Sequence, residues 1–237
     1  IVAPIRAIMI RTIPRRDFLK SIQRIRLGDK RNLQETIRHW VGLGYQHADL
    51  VFRIGQFSRR GGILDVWSPS ELLPIRIEFF GDEVETIRQF DPATQRTLAK
   101  LEYSLVFPAS EAMPDIAEKQ NISTTGLTEH HIPYLYPFPS SVMDYLPDPA
   151  IVLLDGEEFI SAAVDDIEQE SIERFSDLVQ QNLLSSNFPT PYLTWSEIED
   201  SFSHRQVLEL GHTNVNGGNS LASSFNPERR FAGRLKE

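Results

Sequence analysis

The 237 residues contain no cysteine. That excludes a disulfide framework, a thiolate metal site and a cysteine nucleophile, and it fits a reducing, cytoplasmic setting. No apolar run reaches the length of a membrane span, so no membrane partner is expected. The apolar start IVAPIRAIMI is interrupted by Pro4 and Arg6 and no small-residue cleavage site follows, so this stretch is not expected to be a signal peptide. A phosphate-cradling G-x-x-x-x-G-K-[ST] loop is also missing. Basic charge is scarce in the second half: residues 106–237 carry 7 Lys and Arg against 21 Asp and Glu. Residues 1–105 carry 17 against 12, so two units of opposite sign are implied. An acidic or anionic partner should approach the first 60 residues, where 13 basic side chains face 4 acidic ones.

What is present reads as a small α+β module followed by an acidic, helix-rich unit. SIQRIRLGD has strand length and a Gly28-Asp29 stop. In KRNLQETIRHWVGLG, Leu33, Ile37, Trp40, Val41 and Leu43 recur at helical spacing, with Asp29 as a candidate N-cap and Gly44 as the stop. LVFRIGQFSRR and GILDVW read as two strands bent through Gly61-Gly62, where a positive φ or a missing Cβ is needed. IRIEFF alternates cleanly, and Gly81-Asp82 reads as a two-residue hairpin turn. The return strand EVETIRQFD spaces Val84, Ile87 and Phe90 three apart, which calls for a bulge or a strand end. The expectation is a curved antiparallel sheet with one helix packed on it.

These residues carry a resemblance. GYQHADLVFRIGQFSRRGGILDVWSP followed by PIRIEFFGDEVETIRQFDPATQRTL resembles the second domain shared by UvrB and the bacterial transcription-repair coupling factors (Mfd). SVMDYLPDPAIVLLD, residues 141–155, resembles a later segment of both families, in which a strand ends in the Asp-Glu pair that serves ATP hydrolysis in UvrB. Here Asp155 is followed by Gly156, and the resemblance implies that Asp155 stands at a vestigial Walker B position. A helix N-cap ahead of EEFISAAVDDIEQE is the structural alternative for Asp155. A decayed nucleotide site favours the coupling factors over UvrB.

The resemblance implies a fold of α/β and α+β type, part of a degenerate helicase-type nucleotide fold with an inserted antiparallel UvrA-binding domain. Its domains would be the end of a first segment at 1–17, the UvrA-binding domain at 18–103, a second segment at 104–210, a flexible linker at 211–230 and the start of another domain at 231–237. The linker reading rests on the Gly, Asn and Ser of HTNVNGGNSLASSFNPERR. A start at Ile rather than Met suggests a piece of a longer protein. The implied partner is UvrA, with RNA polymerase and double-stranded DNA as partners of the intact protein. No catalysis and no cofactor are expected in this piece, and ATP and magnesium would serve the intact family's motor domains.

Carried over position by position, the UvrA contacts fall on Arg60 and Glu78, with Arg76 beside the glutamate and with His47, Gln46 and Arg59 as lesser candidates. Two positions depart from the pattern: Ser58 and His47 stand where relatives carry arginine. The physical case is separate from the resemblance. An arginine fork pairs bidentately with a partner carboxylate, and a nearby glutamate fixes its orientation or meets a partner cation. The structural alternative is an ordinary Arg60–Glu78 surface pair.

Other candidates carry less chemistry. His130-His131 beside Glu129 has no third ligand at a suitable spacing and reads as a surface loop. In AAVDDIEQESIERFSDLV, the stripe Ala163, Ile167, Ile172, Phe175 and Leu178/Val179 reads as a packed helix face. Ser203-His204 completes no triad. Two alternatives of different class stay open: a UvrB fragment, or a basic nucleic-acid-binding module with exposed aromatics beside its arginines.

Overall fold

The computed structural model describes residues 1–138, 140–181, 185–203 and 205–210. The linker and the following seven residues expected at 211–237 lie outside the described residues, as does His204. Helices α1 (Ile5–Met9) and α2 (Arg15–Ser21) precede strand β1 (Gln23–Arg26) and helix α3 (Leu33–Gly42). Then come β2 (Gln46–His47), β3 (Gln56–Arg60), β4 (Ile63–Val66), β5 (Ile75–Phe80), β6 (Glu83–Phe90), β7 (Thr97–Leu101) and β8 (Tyr103–Val106). The remainder is α4 (Pro114–Lys119), α5 (Ile132–Leu135), β9 (Ile151–Asp155), α6 (Glu157–Gln180), α7 (Trp195–Phe202) and β10 (Gln206–Leu210).

Strands β2 to β7 form one six-stranded sheet in sequence order. Its pairs are antiparallel except β2 with β3. Alternation assigns its faces: Phe57, Leu64, Val66, Ile75, Ile77 and Ile87 are buried and belong to one core with Trp40 of α3. The Gly61-Gly62 bend uses both properties of glycine. Gly61 sits at φ +60, and a Cβ on Gly62 would lie 2.9 Å from the Phe79 carbonyl oxygen. The Gly81-Asp82 hairpin forms as the sequence predicts, with Phe80 opposite Glu83.

The three-residue spacing in β6 also has a structural cause. Glu78 pairs with Thr86 while Phe79 pairs with Val84, so Glu85 is a bulge that returns Val84 and Ile87 to the same side. Phe90 is different: it is fully buried yet lies outside that core, beneath the Arg76 guanidinium on the opposite face.

Two helix expectations change. Asn32, not Asp29, caps α3, accepting from the Glu35 amide at 3.1 Å. Asp29 instead accepts from the Arg26 amide and from Arg31 Nε, which ties the β1 turn together. Val41 is 47% exposed, and the core side of that helix is completed by Thr36, whose hydroxyl donates to the Asn32 carbonyl. The first core extends through Val106, Ala112, Met113, Ala117, Ile132, Leu135 and Tyr136.

A second core lies around α6. Met9 of α1, Val164 and Ile167 of α6, and Ile198 and Phe202 of α7 are buried together with Met143 and Leu193. Strands β9 and β10 pair in parallel and turn Val152, Leu154 and Val207 toward it. The long helix packs through Ile160, Val164 and Ile167, whereas Ile172, expected in the packed stripe, is 62% exposed.

Candidate protein-docking face

The face of the six-stranded sheet opposite the first core is polar, and strand alternation builds it. Ser58 and Arg60 on β3, Ile63 and Asp65 on β4, Arg76 and Glu78 on β5, and Thr86 and Arg88 on β6 lie side by side through the cross-strand register. Asp65 is at its centre, with 1% of its side chain exposed. Its carboxylate accepts from Arg76 Nε at 2.7 Å, from Arg76 Nη2 at 2.8 Å and from Arg60 Nη2 at 2.8 Å. Arg76 Nη2 also donates to Gln95 Oε1 at 2.9 Å, and the guanidinium stacks over the Phe90 ring at 4.4 Å. The hydrogen bond to Asp65 raises the Arg76 guanidinium above its ordinary pKa, against the opposing effect of burial.

Glu78 is held separately. It accepts from the Thr86 hydroxyl at 2.9 Å and pairs with Arg88. Partial burial pushes its carboxyl up, but the bonds from Thr86 and Arg88 outweigh that and hold it below the usual carboxylate range.

The structure divides the expected site residues between two faces. Arg60, Arg76 and Glu78 share the polar face, as does Gln46, which pairs with Gln56 at the sheet edge. His47 pairs with Phe57 and stacks edge-on against it at 5.4 Å, on the core side. Arg59 also belongs to that side and bonds the Gly61 carbonyl. Arg60 and Glu78 do not pair with each other: Arg60 turns to Asp65 and Glu78 to Arg88.

Sequence reasoning missed Asp65, Arg88, Thr86 and Gln95. Asp65 had a readable signal, a carboxylate inside the apolar strand ILDV. Phe80 was also passed over; it is 78% exposed and follows Glu78 by two residues on the same face. Ser58 is 1% exposed and its hydroxyl has no partner among the described residues.

Asp155 ends β9, in register with Leu210. The N-cap position of α6 falls on Gly156 rather than on Asp155, because the chain turns into the helix through a left-handed residue at φ +70. At that φ a side chain is strained, and a Cβ at 156 would lie 2.8 Å from Phe159 Cδ2, so the turn favours glycine. His131 caps a short 3-10 turn with Thr128 and packs edge-on against Phe188 at 5.5 Å. Among the described residues no group of three or more His, Asp or Glu is placed to hold a metal. No described helix is long and apolar enough to cross a membrane.

Residues 23–111 match the UvrB interaction domain family. The chain is 30% identical to the transcription-repair-coupling factor of Bacillus subtilis (strain 168) over 220 residues, covering 76% of this chain and 19% of that protein. It is 25% identical to the transcription-repair-coupling factor of Staphylococcus haemolyticus over 262 residues, covering 89% of this chain and 21% of that one. It is also 36% identical to UvrABC system protein B of a Synechococcus species over 104 residues, 44% of this chain and 15% of that protein. The two coupling-factor matches span most of the chain, and the chain spans about a fifth of the length of those relatives.

Proposed function

The chain carries a UvrB interaction domain over residues 23–111, and from it we propose that this protein is the UvrA-recruiting, UvrB-like part of a transcription-repair coupling factor. It acts in transcription-coupled nucleotide excision repair in the cytoplasm, as a docking module without catalysis or a cofactor of its own. The intact protein is an ATP-dependent translocase on double-stranded DNA that displaces stalled RNA polymerase. The observation that carries the reading is the polar sheet face, where half-exposed Arg60 is held by the Asp65 carboxylate and Glu78 is held by Thr86 and Arg88.

The unit around α6 belongs, in this reading, to a helicase-type fold that has lost its nucleotide site. Supporting it, a parallel strand ends at Asp155 and the turn after it is left-handed at Gly156, a conformation that disfavours a glutamate there. Coupling-factor relatives align with most of the chain, whereas the UvrB match covers 44% of it, which favours the coupling factor over a UvrB fragment. Competition tests the proposal: this chain and UvrB should displace each other from UvrA, and simultaneous binding of both would overturn it. Measurable ATP affinity in the isolated chain would overturn the decayed-site part.

A specific observation keeps a second reading, a nucleic-acid contact. Arg24 stacks over Tyr103 at 4.5 Å, and with Arg26, Leu27 and Glu102 they line a groove of 450 Å³ beside the β1–β8 ribbon. Exposed aromatics beside arginines are what a phosphate-and-base surface uses. DNA affinity falling steeply with salt, and lost in Tyr103→Ala, would support it.

A further inference from the structure

The two arginines on Asp65 are not equivalent. Arg76 is 14% exposed, and its bonds to Asp65 and Gln95 and its stacking on Phe90 leave it embedded. Arg60 is 45% exposed and spends one nitrogen, Nη2, on Asp65. No other bond to its guanidinium occurs among the described residues. The local charges follow the same division. Glu78 and Arg88 neutralise each other, and Asp65 neutralises one of its two arginines, so around Asp65 one positive charge is left over, presented by Arg60, while Lys100 opposite Arg88 adds another farther along the sheet.

We infer that Asp65 is the positioning residue of this docking face: it holds the Arg60 fork toward a carboxylate on the partner and makes Arg76 a strut that the partner does not touch. The inference rests on the docking reading above and adds the chemistry of the partner's contact. A free arginine loses rotamer freedom when it is fixed at an interface. One already held by a buried carboxylate has lost much of that before the partner arrives. The planar guanidinium can serve Asp65 through one nitrogen while its remaining donors face outward, and a lysine ammonium has no such geometry. The carboxylate also explains the strut: without Arg76, Asp65 would be a buried charge with a single half-exposed partner.

The test is a double-mutant cycle read as UvrA affinity, with circular dichroism and thermal melting alongside. Asp65→Asn should melt lower yet remain folded, and should weaken binding roughly tenfold, the loss typical of a central interface residue. Arg60→Ala should lose at least as much, and the double variant no more than Arg60→Ala alone, because Asp65 acts through Arg60. Wild-type affinity in Asp65→Asn, or losses that multiply in the double variant, would overturn the inference. Arg60→Lys keeps the net charge and leaves Asp65 in place, so it tests the geometry even where Asp65→Asn does not fold. It should lose most of what Arg60→Ala loses, and near-wild-type binding would reduce the role to plain charge. If the wild-type chain does not bind UvrA, the docking reading itself falls and this inference falls with it.

Discussion

The six-stranded sheet and the β9–β10 pair bury their strands in opposite ways. In the larger sheet, Leu64, Val66, Ile75 and Ile77 are fully covered on one side, and the other side carries a charged array with Asp65 buried at its centre and Arg60 half-exposed. In the parallel pair, Val152, Leu154 and Val207 face α6 and α7, but Ile151, Leu153, Leu208 and Leu210 on the other side are 54%, 58%, 53% and 47% exposed. Parallel strands are ordinarily covered on both faces. The first region is therefore complete and offers a polar surface suited to reversible recognition. The second offers an apolar surface suited to being covered. The proposed docking face lies on the first because a half-exposed arginine can stay solvated until a partner arrives, whereas an open leucine face draws in any apolar neighbour.

Stability measurements break or sharpen this comparison most strongly. Trp40 is fully buried, donates to Gln23 at 2.9 Å and packs edge-on against Phe57, so Trp40→Ala should cost about 3–5 kcal/mol in denaturant unfolding. Leu153→Ala on the open face should cost no more than about 0.5 kcal/mol. Equal costs would mean that the open face is already covered. Next in size, Leu153→Lys with Leu208→Lys should reduce any self-association seen in sedimentation while leaving the melting temperature near that of wild type, since an exposed apolar sheet face promotes association between copies.

Smaller effects separate recognition from stability within the first region. Phe80→Ala should weaken UvrA binding by about 1 kcal/mol or more without moving the unfolding midpoint, because an aromatic this exposed contributes at an interface rather than in a core. The smallest effect is in pH. The folded-state pKa of Glu78 is depressed, so its contribution to stability is present above the ordinary carboxylate value and is lost as pH falls through the folded one. The melting-temperature difference between wild type and Glu78→Gln should shrink across that acidic window; a difference that persists below it would separate the role of Glu78 from its charge.

The larger sheet was legible in the sequence where local rules decide: alternation in IRIEFF, the Gly81-Asp82 hairpin and the Gly61-Gly62 bend. The bulge at Glu85 agrees with the three-residue spacing of Val84, Ile87 and Phe90, which departs from a strand's period of two and calls for a bulge or a strand end. The pairing inside the candidate site was not legible. Strand alternation places Arg60 and Glu78 on one face, but which carboxylate each charge selects depends on three-dimensional register: Asp65 lies diagonal to Arg60 and opposite Arg76, and Arg88 reaches Glu78 from β6. Asp155 illustrates a further limit. Its motif position could be read, but the left-handed turn that moves the helix cap onto Gly156 is a backbone property. His47 and Gln46 are adjacent in sequence and were grouped together, yet the pleat of β2 sends them to opposite faces.

The central claim, that recognition lies on the polar face of the complete region and not on the open apolar face of the other, is tested most directly by titrating UvrA against wild type, Arg60→Ala and Leu153→Ala. The account predicts a loss of about tenfold or more for Arg60→Ala and wild-type affinity for Leu153→Ala. Unchanged binding in Arg60→Ala together with a loss in Leu153→Ala would contradict it.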